Sequence, residues 1–203
     1  MLARSGQVLA EVWWGRVMEQ AHISALEREA LVSVLTESRD ATVAAAESLS
    51  GAQWMFRSCE KCWTIGENVE HLITVERNIF GLVKKTLSRS PSVTWHAATA
   101  GKEKLLRNML LDRTQKREAP EAVQPTGQLD RAEALRVYQE CRNELLDFAA
   151  TTTEPLKAHT EDHRRPAVGT LNAYQWIFFI ALHNQRHLDQ IAEVLRTPAF
   201  EAV

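Results

Sequence analysis

The chain has 203 residues, 45% of them hydrophobic and 25% charged, with a formal net charge of -2. That is enough apolar material for one substantial core, and it leaves no basic excess for nucleic acid and no polybasic block for an anionic membrane. Apolar runs such as Trp176 to Leu182 fall far short of the about 20 residues that span a bilayer.

Residues 1–22 do not read as a secretion signal, because Glu11 and Arg16 interrupt the apolar stretch and Glu19 follows closely. Three cysteines, Cys59, Cys62 and Cys141, fit a reducing compartment better than a disulfide framework, so a cytoplasmic protein is expected. Residues 1–23 form an N-terminal extension to a single domain over 1–203. Its Trp13-Trp14 pair could cover a bundle end or a partner subunit, although packing within the chain is the simpler reading.

Helical periodicity dominates from there on. The first long helix is predicted from about Ser24 to Leu49, opened by the capping box Ser24-Ala25-Leu26-Glu27, with Gly51 at its stop. Cys59-Glu60-Lys61-Cys62 has the gap used by zinc and redox sites, but a lone pair is weak, and a connector before a helix is the plainer reading. A second box, Thr64-Ile65-Gly66-Glu67, opens a helix that runs to about Leu87 and ends at Ser90-Pro91. The third is predicted from about Leu129 to Ala150, and the fourth from Thr170 to about Arg196, before Pro198.

Four such helices make an all-α four-helix bundle. Residues 89–128 form a connection too long for a simple turn, with a short charged helical segment around Lys102 to Arg117. An overhand crossover of that length would let helices two and three run parallel, giving up-down-down-up connectivity.

The chemistry concentrates in His183-Asn184-Gln185-Arg186-His187. Four residues is about one helical turn, so both imidazoles project from one side, which they share with Trp176, Phe179, Ile180, Ile191 and Val194. Two neutral imidazoles so placed can chelate a divalent metal; they can also serve as hydrogen-bonded core residues, and the pair alone leaves both readings open. Asn184 stands where a metalloprotease helix would carry its glutamate base, which disfavours peptide hydrolysis by that route.

His71, on helix two at the edge of its apolar face, is the best candidate for a third ligand, although helix geometry alone does not decide it. His159 and His163 share the i, i+4 spacing but lie among charged residues between Pro155 and Pro166, where loop or capping roles fit better. His22 and His96 belong to no visible constellation. Glu67 and Gln190 are candidate partners for the rings, with helix capping and local contacts as their plainer roles, and Arg186 and Asp189 are expected in ion pairs or interface contacts.

Cys62-Trp63-Thr64-Ile65-Gly66-Glu67-Asn68-Val69-Glu70-His71-Leu72 resembles the tryptophan-led helix start and first histidine of the DinB-like (DinB/YfiT) superfamily. Tyr174-Gln175-Trp176 with His183-Asn184-Gln185-Arg186-His187-Leu188-Asp189-Gln190-Ile191 resembles its last helix, so the likeness covers about Leu26 to Leu195. The resemblance implies the up-down-down-up bundle and a divalent metal, zinc or nickel, held by His71, His183 and His187. It also implies a small-molecule substrate and a transferase reaction using a low-molecular-weight thiol. A metal-dependent hydrolase and a non-catalytic stress-response or binding bundle are the alternatives. A homodimer is expected; catalytic residues beyond the ligands are not identified.

Overall fold

A computed structural model describes residues 15, 17–114 and 118–203. The Trp13-Trp14 pair and the end of the charged segment near Arg117 lie outside them. Helix α1 spans Ala25–Ala46, α2 Gly51–Trp54, α3 Ile65–Leu87, α4 Trp95–Thr99, α5 Lys102–Leu111, α6 Arg131–Thr151 and α7 Ala173–Leu195. A 3-10 turn covers Glu121–Val123, and two short strands, β1 (Thr160–Asp162) and β2 (Thr170–Asn172), pair antiparallel with Glu161 opposite Leu171.

Both capping boxes form. Ser24 and Thr64 each accept a backbone N–H three residues on, and Glu27 and Glu67 reach back to the cap N–H groups. The boundaries differ from expectation in three places. Gly51 does not simply end α1; it starts α2, because Ser50 and Gln53 form another box. The third helix starts at Arg131 on an Asp130 cap. The last begins at Ala173, because Thr170–Asn172 pairs as a strand and Asn172 with Gln175 then caps the helix.

Cross-helix bonds give the topology. Arg28 donates to Ala149 O and Thr152 O at one end of the α1–α6 contact, while Tyr138 donates to Thr42 at the other, so these helices are antiparallel. Glu70 meets Leu129 and Lys84 meets Glu144, so α3 and the chain through α6 run parallel. His71 lies by His183 and Asn68 by His187, so α3 and α7 are antiparallel. The result is up-down-down-up, with the crossover between α3 and α6 carrying α4, α5 and the 3-10 turn. Among the described residues no helix is long and apolar enough to cross a membrane.

The core has two apolar lobes. One gathers Leu31, Phe80, Leu145 and Ile177; the other gathers Leu49, Val69, Tyr138 and Ile191. A polar layer separates them. Along α6, Arg142 falls between Tyr138 and Leu145, and along α3, Glu76 falls between Ile73 and Ile79. Arg142 is fully buried and grips Glu76 through Nε and Nη2 at 2.9 and 2.6 Å. Its Nη1 donates to Leu35 O and Ser38 Oγ at 3.0 and 2.7 Å. Desolvating two charges is costly, and only this complete set of partners offsets it. Arg142→Ala should therefore destabilise the fold by about 3–5 kcal/mol, because Glu76 is left buried and unpaired. The Arg142→Met/Glu76→Leu double variant should lose much less in the same urea-unfolding measurement.

Candidate metal centre

Three imidazoles meet where α3 crosses α7. His71 Nε2 and His187 Nε2 each lie 3.3 Å from His183 Nε2, and the three ligand atoms all fall within 4.8 Å of one another. The sequence places His71 at the rim of its helix face; the fold buries it to 3% exposure, leaving His183 the half-buried member.

The tautomers follow from the outer ring nitrogens. His71 Nδ1 lies 2.6 Å from Val123 O, and a carbonyl only accepts, so Nδ1 carries the proton. Asn68 Nδ2 donates to Thr64 O, which turns Asn68 Oδ1 toward His187 Nδ1 at 2.9 Å, so this nitrogen is protonated as well. Both inward Nε2 atoms therefore present lone pairs to His183 Nε2. One proton on His183 could satisfy only one of them. A cation among the three satisfies all, and donors about 2.0–2.1 Å from a tetrahedral zinc stand about 3.3–3.4 Å apart, which matches the two separations from His183. The Gln190 side chain interacts with His187, and among the described residues its buried Oε1 meets no donor at full hydrogen-bond geometry. It is an acceptor available beside the centre.

Aromatic rings wall the site. Trp63 packs on His71 at 4.8 Å between centroids and stacks on His187 at 5.9 Å, and Phe179 stacks on His183 at 5.8 Å. Burial pushes His183 down to about 3, with the charges of His71 and Arg186 acting in the same direction. Burial likewise holds His187 well below its usual range. It also lowers His71, against the opposing bond to Val123. All three rings are thus neutral at neutral pH, the form in which imidazole binds a metal.

The ring partners differ from those the sequence offered. Glu67 closes its capping box and pairs with Arg57, so it does not orient His71; Val123 O does, from the crossover 52 residues away. Asn68, in the stretch from Trp63 to His71, orients His187. Asn68 stands three residues before His71, on the same side of α3, a placement visible in the sequence. Arg186 is buried, with Nη1 donating to Leu110 O and Asp112 O, and its charge bears on His183 and His187. Asp189 accepts from Gln185. His159 lies against Thr86 O and His163 stacks on Trp176, so neither joins the centre. Cys59 and Cys62 do form a connector before α3, but one closed by a disulfide.

Glu70 secures the crossover. Its carboxylate accepts from the backbone N–H groups of Thr126, Gly127 and Leu129 and from the Thr126 hydroxyl, at 2.6–3.1 Å. Burial alone would raise this carboxyl; the three backbone donors outweigh it and hold the pKa below its ordinary value. The clamp keeps Val123 over His71.

Fold and site together define a helical-bundle class with a three-imidazole centre. The chain belongs to the DinB superfamily, whose family model matches residues 35–191. It is 26% identical over 168 residues to YuaE of Bacillus subtilis (strain 168), an uncharacterized protein, covering 80% of this chain and 96% of that one. The structure of YfiT from Bacillus subtilis has a TM-score of 0.59 at 18% identity, covering 86% of this chain and 89% of that one. YfiT is described as a probable metal-dependent hydrolase with an unusual four-helix bundle topology.

Glu70→Gln places an amide N–H against a backbone donor and removes the charge; it should cost about 2 kcal/mol in denaturant unfolding. It should also weaken zinc binding by loosening Val123 over His71, by less than the about 10–100-fold typical of groups bonded directly to metal ligands, read by competition with a chromophoric chelator.

Because the folded histidines titrate below their unfolded value of about 6.5, the unfolded chain takes up protons first. The stability owed to the neutral rings is complete above about pH 6.5 and is lost as pH falls toward the folded values. The thermal midpoint of metal-free protein should therefore drop between pH 7 and pH 5, and the drop should be shallower in His183→Ala.

Proposed function

We propose that the chain is a divalent-metal enzyme that transfers a low-molecular-weight thiol to a small-molecule substrate, with His71, His183 and His187 as metal ligands. The observation that carries the metal reading is the convergence of three neutral Nε2 atoms, two of them fixed as lone-pair donors by Val123 O and Asn68 Oδ1. Three protein ligands leave a position open, as catalytic sites do and closed structural zinc sites do not. When bound, a zinc or nickel ion supplies Lewis acidity that makes a thiol or a water molecule nucleophilic at neutral pH.

The chain's own groups do the rest. Trp63 and Phe179 keep the floor apolar and limit water. His183 is half-buried, so the centre is not sealed, and Gln190 Oε1 can accept a hydrogen bond from a bound nucleophile or substrate. Among the described residues no carboxylate groups with the three imidazoles. A zinc or nickel ion held by His71, His183 and His187 would lower the pKa of a thiol or of water without help from a protein base, and the thiol reading follows the likeness of the two histidine motifs to the superfamily's. Hydrolysis is the second reading, supported by the description of YfiT as a probable metal-dependent hydrolase.

Protein purified without a metal-affinity step should contain about one zinc or nickel ion per chain by elemental analysis, the ratio expected of a single three-ligand site. His183→Ala should lose that metal and all turnover together. Turnover that requires an added thiol supports the transferase; ester or amide cleavage without thiol replaces it with the hydrolase. Full metal retention in His183→Ala overturns the ligand set.

A further inference from the structure

The Cys59–Cys62 disulfide closes the turn that enters α3, and Cys62 N also donates to Cys59 O at 3.0 Å. Cys59 is exposed and Cys62 half-buried. The next residue is Trp63, whose ring lies on His71 and His187, and the one after is the α3 cap, Thr64. Arg57 ties the turn down, donating to Cys62 O and pairing with Glu67 of the capping box. A covalent link with one exposed cysteine thus stands one residue from the aromatic wall of the histidine centre.

We propose that Cys59 and Cys62 form a thiol–disulfide exchange site for small thiols, and that its oxidation state sets how Trp63 covers the histidines. The inference stands on the sulfur pair and Trp63, independently of the enzyme's substrate or metal. A thiolate of a small thiol attacks the Sγ of Cys59, the exposed residue of the pair. The Sγ–Sγ bond breaks, and its electron pair leaves on Cys62, which takes up a proton. A second thiolate attacks the small-molecule sulfur of the mixed disulfide, releasing Cys59, which is also protonated. Two small thiols are oxidised to one disulfide, and the protein disulfide is reduced to two thiols.

Cys62 is suited to leave. It precedes the N-terminus of a 23-residue helix, where partial positive charge favours a thiolate. Cys141 differs: burial raises its thiol, Arg77 Nε is its hydrogen-bond donor, and it lies on α6 away from this turn. With the disulfide open, the turn keeps its backbone bond and Arg57 but loses its covalent closure, and Trp63 gains freedom to lift from the rings.

The test uses metal-free, folded full-length protein. It is treated with dithiothreitol and then with oxidised glutathione, with alkylation mass spectrometry and ring NMR of Trp63, His71 and His187 read at each stage. Two additional alkylated cysteines after reduction, their loss on reoxidation, and shifts of all three rings that follow the same cycle support the proposal. The Cys59→Ser/Cys62→Ser variant should keep the reduced-state ring spectrum throughout, with only Cys141 open to alkylation. A pair that resists reduction until the protein unfolds overturns the proposal. So does a pair that cycles while the ring signals stay fixed.

Discussion

The arrangement of this bundle depends on one ion pair removed from water, Arg142 with Glu76. Its guanidinium joins three helices at once, because α6 reaches the Glu76 carboxylate on α3 and the Leu35 carbonyl and Ser38 hydroxyl on α1. A helix pinned along one side has its opposite side aimed. Glu76 faces α6 and α1, and His71, about 140° around the same helix at 3.6 residues per turn, faces α7. Interchangeable apolar contacts at that layer would allow α3 to rotate or slide; a two-pronged ion pair with every donor satisfied does not.

The same economy governs the imidazoles. Each outer nitrogen of His71 and His187 is committed to an oxygen that can only accept, or that has been turned to accept, so the inner nitrogens have no choice of tautomer. Neither partner is a carboxylate. Neutral partners orient the rings without lending them negative charge, and a bound cation keeps more of its positive charge for whatever occupies the open position. Arg186, buried within reach of two of the rings, works in the same direction by disfavouring their protonation.

Much of this is legible in the sequence because it is written locally. Capping boxes declare themselves over four residues, as those at Ser24 and Thr64 do. His183 and His187 report a shared side through a fixed spacing. The long stretch after Leu87 points to the parallel pairing, since a short turn cannot join parallel helices. The features that escape notice depend on distance. Val123 offers only a backbone carbonyl, indistinguishable in sequence from any other, and acquires a role because Glu70 gathers the chain at 126–129. Arg142 reads as one more charge on a mixed helix until three helices close over it. The strand at Thr170–Asn172 is too short for a periodicity to form, and Asn172 doubles as a cap, so in sequence it looks like the start of the helix.

The order in which the histidine centre is assembled has a consequence for synthesis. His71 and His183 are separated by 112 residues, and the carbonyl that fixes the His71 tautomer comes 52 residues after it. A polypeptide emerging from the ribosome at about 5–20 residues per second exposes the first ring several seconds before the others exist. No cation can meet all three rings until α7 has been made, so α1, α3 and α6 must rely on their helix caps and apolar faces, with no help from a metal, while the last helix is still to come.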